Sequence, residues 1–190
     1  MRFDPSLRIL EDADVYPPSE DSILLIESFD VLNGEKLLEI GCGSGVVSLH
    51  CAINGADVTC GDVNPKAVEL TKRNAISNNI VLNVLETDVY SNVNGVFDTI
   101  VFNLPYLPVT DDGELAKAWS GGTNGIGPLP RLLDGAPSHL SSSGRIIVVV
   151  SSLMDEHTLN SLLSRCSVDV LSELPLFFER LKVLEITLNR

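Results

Sequence analysis

The chain has 190 residues, 44% of them hydrophobic and 21% charged, with 14 glycines and 10 prolines. That composition excludes a disordered or fibrous chain and predicts one domain, residues 1–190, with a substantial core. Thirteen Lys and Arg against 26 Asp and Glu leave a formal charge of −13; no segment supplies the Lys/Arg stripe that a phosphate backbone requires, so nucleic acid is a disfavoured partner.

No stretch reaches the length of a membrane span, and Met1-Arg2-Phe3-Asp4-Pro5 lacks the basic and apolar regions of a leader, so a cytoplasmic protein without membrane contact is expected. Cys42, Cys51, Cys60 and Cys166 form no Cys-x-x-Cys and stand without clustered histidines; reduced, mostly buried thiols are expected, with no metal site.

Residues 1–35 read as an entry segment and helix, residues 36–190 as the core. Ser19 is placed to cap a helix whose Ile23, Leu24 and Ile26 share an apolar face. Lys36 to Ile40 reads as a buried strand running into Gly41-Cys42-Gly43-Ser44-Gly45, with a helix to about residue 53. Ala56 to Gly61 is a second strand, Pro65 to Ser77 a helix with proline in its first turn, Ile80 to Leu85 a third strand and Phe97 to Phe102 a fourth. After an irregular stretch from Asn103 to Gly127, the pattern gives a helix over Leu129 to Leu140, a strand over Arg145 to Val150 and a helix over Asp155 to Arg165. Val168 to Leu174 and Leu181 to Leu188 close the chain as two strands; Phe177 and Phe178 fall in their connection, where an apolar pair is expected to pack. Strands alternating with helices predict a parallel sheet, and the last two strands an antiparallel hairpin at its end.

The glycines of Glu39-x-Gly41-x-Gly43-x-Gly45 let the backbone turn tightly and bring N–H groups near a ligand. A dinucleotide fingerprint would place its third glycine at Val46, so that motif is not present. Asp62 stands 21 positions past Gly41 at the end of the second strand, suited to ribose hydroxyls, and Asp88 follows the third strand, suited to an adenine amino group. Glu39 suits a cationic ligand better than a pyrophosphate, and S-adenosylmethionine is such a ligand. His50, His139 and His157 receive no chemical role.

With these features the chain resembles a class I S-adenosylmethionine-dependent methyltransferase, whose Rossmann-like seven-stranded sheet has one antiparallel strand and helices on both faces. Asn103-Leu104-Pro105-Tyr106, after the fourth strand, resembles the Asn-Pro-Pro-Tyr signature of enzymes that methylate a nitrogen conjugated to a π-system, with Leu104 in place of the usual proline. Two acceptors, the Asn103 side-chain oxygen and the carbonyl of residue 104, can hold both N–H protons and orient the nitrogen, and Tyr106 offers a face to the planar target. Asn-Leu-Pro-Tyr also occurs in ribosomal RNA adenine dimethyltransferases, so the tetrapeptide alone does not choose the substrate. Tyr16-x-Pro18-x-Glu20-Asp21-Ser22 and Trp119-Ser120-Gly121-Gly122-Thr123-Asn124-Gly125 are similar to motifs of the short, archaeal and eukaryotic branch of HemK-like glutamine methyltransferases. Ser22 replaces the family threonine. The Trp119 loop reads equally as a mobile lid or a loop pinned by its aromatic anchor.

What the resemblance implies is N5-methylation of the glutamine in the Gly-Gly-Gln motif of a class 1 peptide-chain release factor. S-adenosyl-L-methionine would be held by Tyr16, Ser22, Glu39, Gly41, Gly43, Gly45, Asp62, Val63, Asp88, Val89 and Asn103, with Asn103, Leu104, Pro105 and Tyr106 as the catalytic turn. Bacterial relatives carry an N-terminal helical domain for which this chain has no residues. The third strand, expected at a sheet edge and apolar over residues 80–85, would then pair with the small zinc-binding activator of this branch, as a heterodimer; a covering helix or loop of the chain itself is the other possibility. Two further readings stand beside this one: an N6-adenine methyltransferase acting on DNA or RNA, and a non-catalytic methyltransferase-fold subunit.

Overall fold

The first core strand, β1 (Lys36–Ile40), is buried after its first residue, and its alternating side chains feed two apolar layers. Leu38 and Ile40 point to one face and Leu37 to the other. The computed structural model describes residues 1–113 and 115–189. Around β1 the chain forms α1 (Glu20–Ser28), α2 (Val46–Ile53), β2 (Asp57–Asp62), α3 (Pro65–Ser77), β3 (Asn83–Glu86), β4 (Phe97–Phe102), a 3-10 turn (Leu115–Ala118), α4 (Leu129–His139), β5 (Leu140–Ser151), α5 (Glu156–Leu163), β6 (Cys166–Pro175) and β7 (Arg180–Leu188).

The sheet has seven strands in the order β3-β2-β1-β4-β5-β7-β6. β1 to β5 pair in parallel, and β7 lies between β5 and β6, antiparallel to both. This is the expected mixed sheet with one antiparallel strand, and the run Ile146 to Val150 on β5 is buried on both faces, as an interior strand between helices requires. One face carries α4 through Leu129, Leu132, Leu133 and Ala136 against Ile100 and Val148. The other carries α1 and α2 through Leu25, Ile26, Val46 and Val47 against Val101 and Ile147.

Several expected boundaries move. In α1 the buried face is Ser22, Leu25 and Ile26, while Ile23 is exposed, because the helix packs on the sheet through positions i, i+3 and i+4 counted from Ser22. Ser19 occupies the N-cap position without capping: its hydroxyl donates to Glu20 Oε2 at 2.5 Å. β3 begins at Asn83 rather than Ile80. Asn79 takes φ +55, and Ile80 N–H donates to Ala75 O at 3.0 Å, so a Schellman closure of α3 uses residues 79 and 80. β5 begins at Leu140, which pairs with Phe97 before a bulge restores the register at Arg145. Phe177 and Phe178 do occupy the β6–β7 connection, but they are 92% and 86% exposed instead of packed.

The entry segment is strapped across α2 and α3. Asp4 N–H donates to His50 Nε2 at 2.9 Å, Leu10 N–H to Asn74 Oδ1 at 2.8 Å, and Asn64 Nδ2 to Asp14 O at 2.8 Å. His50 is wholly buried. Nδ1 lies 2.7 Å from Val46 O, so the ring links the entry segment to α2. Cys42, Cys51 and Cys60 are buried free thiols, and Cys166 is half-buried. Among the described residues no helix is long and apolar enough to cross a membrane, and no cluster suited to a metal ion is found.

Candidate active site

Parallel register gathers the site. Ile40 pairs with Gly61 and with Phe102, and Asp62 pairs with Glu86. The residues that leave the ends of β1, β2, β3 and β4, namely Gly41, Val63, Thr87 and Asn103, therefore emerge side by side on one edge of the sheet, with Asp62 and Asp88 among them. A cavity of about 670 Å³ opens there, lined by Tyr16, Ser22, Glu39, Gly41, Gly43, Asp62, Val63, Asp88, Val89, Asn103, Leu104, Pro105 and Tyr106. Gly45 alone of the expected set stands off the wall: it is the N-cap of α2, where a Cβ would lie 2.8 Å from the Thr71 side chain.

The glycine loop is fixed by β2. Cys42 N–H donates to Gly61 O at 3.0 Å and Gly43 N–H to Asp62 Oδ2 at 2.9 Å, while Asn64 N–H donates to Asp62 Oδ1 at 2.9 Å. Gly41 has φ +68, and a Cβ there would approach Phe102 Cε2 to 2.7 Å, so only glycine fits between the loop and the turn after β4. Burial pushes the Asp62 carboxyl up from its ordinary value despite these backbone donors. Two lone-pair-rich oxygens remain at the wall for ligand donors.

Glu39 is more deeply engaged than its sequence position suggests. Its Oε2 accepts from Ser48 N–H at 2.8 Å and from the Ser48 hydroxyl, which ties β1 to the first turn of α2. Burial pushes its carboxyl up to about 8. Asp88 is also engaged: its Oδ2 lies 2.9 Å from Arg131 of α4, and Arg131 also lines the cavity. Next to it, Val89 is buried with φ +54, an unfavourable conformation for a β-branched residue and a mark of a functional constraint.

The tetrapeptide divides between core and cavity. Leu104 is buried among the residues that β4, α4 and β5 contribute to one apolar layer, which explains how leucine stands where the related motif has proline: its side chain packs inward, and only its backbone faces the site. Asn103 Oδ1 is buried and has no hydrogen-bond partner among the described residues. Burial raises the Tyr106 hydroxyl well above its ordinary value, and Asp21 adds to this. Behind the turn lies the glycine loop 121–127. Leu107 N–H donates to Trp119 O at 3.0 Å and Gly121 N–H to Leu107 O at 2.8 Å. At Gly127, φ +51, a Cβ would stand 2.6 Å from Pro105 O. The loop is thus pinned under the tetrapeptide, and its aromatic anchor, Trp119, donates from Nε1 to Asp111 at 2.9 Å.

Three charged lining residues were not expected at the site: Asp21, Arg131 and Lys117. Asp21 is buried beside Tyr16 and Tyr106, and its Oδ1 accepts from Ser22 N–H at 2.6 Å. The entry motif contains it, and its place one residue before Ser22 is the signal that pointed there. Arg131 and Lys117 come from distant elements and leave no local signal.

A glycine loop against β1, an acid closing β2, another after β3 and an orphan amide oxygen after β4 define a methyltransferase of the Rossmann-like type. The methyltransferase small domain family matches residues 18–172. The chain is 39% identical over 178 residues to a Methanocaldococcus jannaschii protein named as a protein N5-glutamine methyltransferase, MJ0928, covering 90% of each chain. It is 34% identical over 157 residues to human Methyltransferase HEMK2, covering 72% of each. A chain from the structure of the E. cuniculi Mtq2-Trm112 complex, responsible for methylation of the eRF1 translation termination factor, shares the fold with a TM-score of 0.75 at 22% identity, over 93% of this chain and 99% of that one. The chain belongs to the methyltransferase small domain family, in its HemK-like protein-glutamine methyltransferase branch.

Proposed function

We propose that residues 1–190 act as one cytoplasmic enzyme domain that transfers a methyl group from S-adenosyl-L-methionine to the side-chain nitrogen of the glutamine in the Gly-Gly-Gln motif of a class 1 release factor. The observation that carries the reading is the buried Asn103 Oδ1, which has no hydrogen-bond partner among the described residues. A buried acceptor without a donor costs about 1–3 kcal/mol, and an amide N–H presented by a substrate relieves that cost.

The walls fit the proposed donor. Asp62 and Asp21 supply carboxylate oxygens, the glycine loop brings backbone close, and a Cβ at Gly43 would meet only Tyr16 O, at 4.0 Å, leaving room for a ligand to approach. When bound, S-adenosylmethionine supplies an electrophilic methyl on a sulfonium. Asn103 Oδ1 and the Leu104 carbonyl hold the two N–H groups of the target amide, which turns the nitrogen toward the methyl and selects a planar NH₂ group. Tyr106, kept protonated, gives the amide plane an apolar face. Alkylation makes the N–H acidic, and its proton leaves to water.

Asn103→Ala tests the assignment. Methyl transfer to release factor falls by about 10²-fold or more, while calorimetric affinity for the cofactor changes little. Unchanged turnover removes the role given to Asn103, and label transferred to DNA but not to release factor overturns the glutamine substrate.

The partner follows from the edge. β3 lies at the end of the sheet with Val81 91% exposed just before it, and an open edge of this kind pairs or aggregates. A small zinc-binding activator adding a strand beside β3 is the partner we propose, consistent with the complex formed by the E. cuniculi fold neighbour. Co-expression with the activator raises soluble yield and activity; equal yield and activity without it sink this partner.

A further inference from the structure

We infer that Phe177 and Phe178, at the tip of the β6–β7 hairpin, form the surface on which the substrate protein docks the chain flanking its methylated side chain. This rests on the release-factor reading above. The pair is 92% and 86% exposed, with rings edge to face at 4.6 Å. Two phenylalanines in water at one turn are a large apolar surface for a partner to cover.

The hairpin places them on the rim of the site. Because β7 runs antiparallel to β5, its first residue meets the carboxyl end of β5, and Leu181 pairs with Ser151. The turn is held there. Ser151 Oγ donates to Glu179 Oε2 at 2.5 Å, Arg180 N–H to Ser152 Oγ at 2.9 Å, and Leu176 N–H to Glu179 O at 2.7 Å. The same turn after β5 continues through Leu153, 39% exposed, to Met154, whose Cα lies 3.3 Å from a Cβ built at Gly125. Asp155 N–H donates to Asn124 O at 2.9 Å. Hairpin tip, β5–α5 turn and the loop beneath the tetrapeptide therefore form one continuous rim.

A glutamine that enters this cavity remains attached to its protein, so the residues on either side must cross that rim. A rigid turn carrying two exposed aromatic rings suits apolar residues of such a segment. The edge proposed for the activator is five strand spacings away, about 24 Å, and leaves this end of the sheet uncovered.

The test compares the wild-type chain, co-expressed with the activator, with F177S/F178S. Both substitutions fall at exposed turn positions, and cofactor affinity by calorimetry reports that the fold is intact. The KM for whole release factor rises about tenfold with kcat and cofactor affinity unchanged, while the KM for a peptide trimmed to the Gly-Gly-Gln motif stays the same. An unchanged KM for release factor, in a wild type that methylates it, overturns the docking surface alone. So does loss of wild-type self-association in the variant with KM unaltered, which makes the pair a contact between copies. A wild type that leaves release factor unmethylated refutes the glutamine reading first.

Discussion

Glu39, on β1, and Asn103, just past the neighbouring strand β4, illustrate opposite uses of burial. Asn103 Oδ1 lines the cavity wall without a hydrogen-bond partner among the described residues, a local cost that a donor from the proposed substrate would relieve. Glu39 Oε2 accepts from both the backbone and the hydroxyl of Ser48, yet burial raises the carboxyl from an ordinary value near 4.5 to about 8. Between those two values the unfolded chain has released this proton and the native chain still holds it, so the native state binds more protons and stability falls as pH rises. Glu39→Gln keeps an acceptor for Ser48 and removes the titration. The variant's melting temperature is expected to depend less on pH over this window and to gain on wild type toward pH 8; parallel pH profiles for the two proteins contradict the burial effect. Asp62 and Asp88 were legible from their places at strand ends, because the alternation of strands and helices fixes which residues emerge on the ligand edge. The pairing of Glu39 with Ser48, and of Asp88 with Arg131 from α4, was not. Which side chain turns toward which depends on packing between elements, and the sequence carries no local trace of it.

At the scale of elements, the glycine-rich loop after the tetrapeptide is support. Residues 121–127 lie directly under the carbonyls of Pro105 and Tyr106, where Cβ atoms at Gly127 and Gly125 would come within 2.6 Å and 2.5 Å. Both glycines also have positive φ, so a side chain there meets steric and backbone penalties together. Gly127→Ala is expected to cost about 1–3 kcal/mol in thermal or urea unfolding and to lower kcat about tenfold or more by shifting the turn that carries Asn103. A variant with wild-type kcat would show that the loop does not position the turn. The sequence left open whether this loop moves or is pinned; backbone bonds join Leu107 to Trp119 and Gly121, the geometry that a pinned support requires. Ends of elements were harder to read. β3 starts three residues late because the closure of α3 uses Asn79 and Ile80, and α1 turns Ser22 rather than Ile23 inward because the helix packs on the sheet through Leu25 and Ile26, three and four residues on.

Across the whole molecule, the charge of −13 is distributed around the mouth of the site as well as over the rest of the surface. Glu11 and Asp12 line a recess that shares Tyr16 and Trp119 with the main cavity, and Asp111 holds the Trp119 indole. Such a rim repels a phosphate backbone and attracts a protein whose own surface is basic because it works on RNA. Steering of this kind acts over roughly 10 Å and is screened by salt. It follows that the KM for whole release factor rises several-fold between about 0.05 M and 0.5 M salt, whereas a neutral peptide trimmed to the glutamine motif shows little change. The two substrates separate the contributions: docking on Phe177 and Phe178 is apolar and survives salt, whereas encounter with the acidic rim does not. A KM for release factor that is flat with ionic strength would assign the acidity to solubility alone and leave the aromatic turn as the element of the rim that selects the substrate.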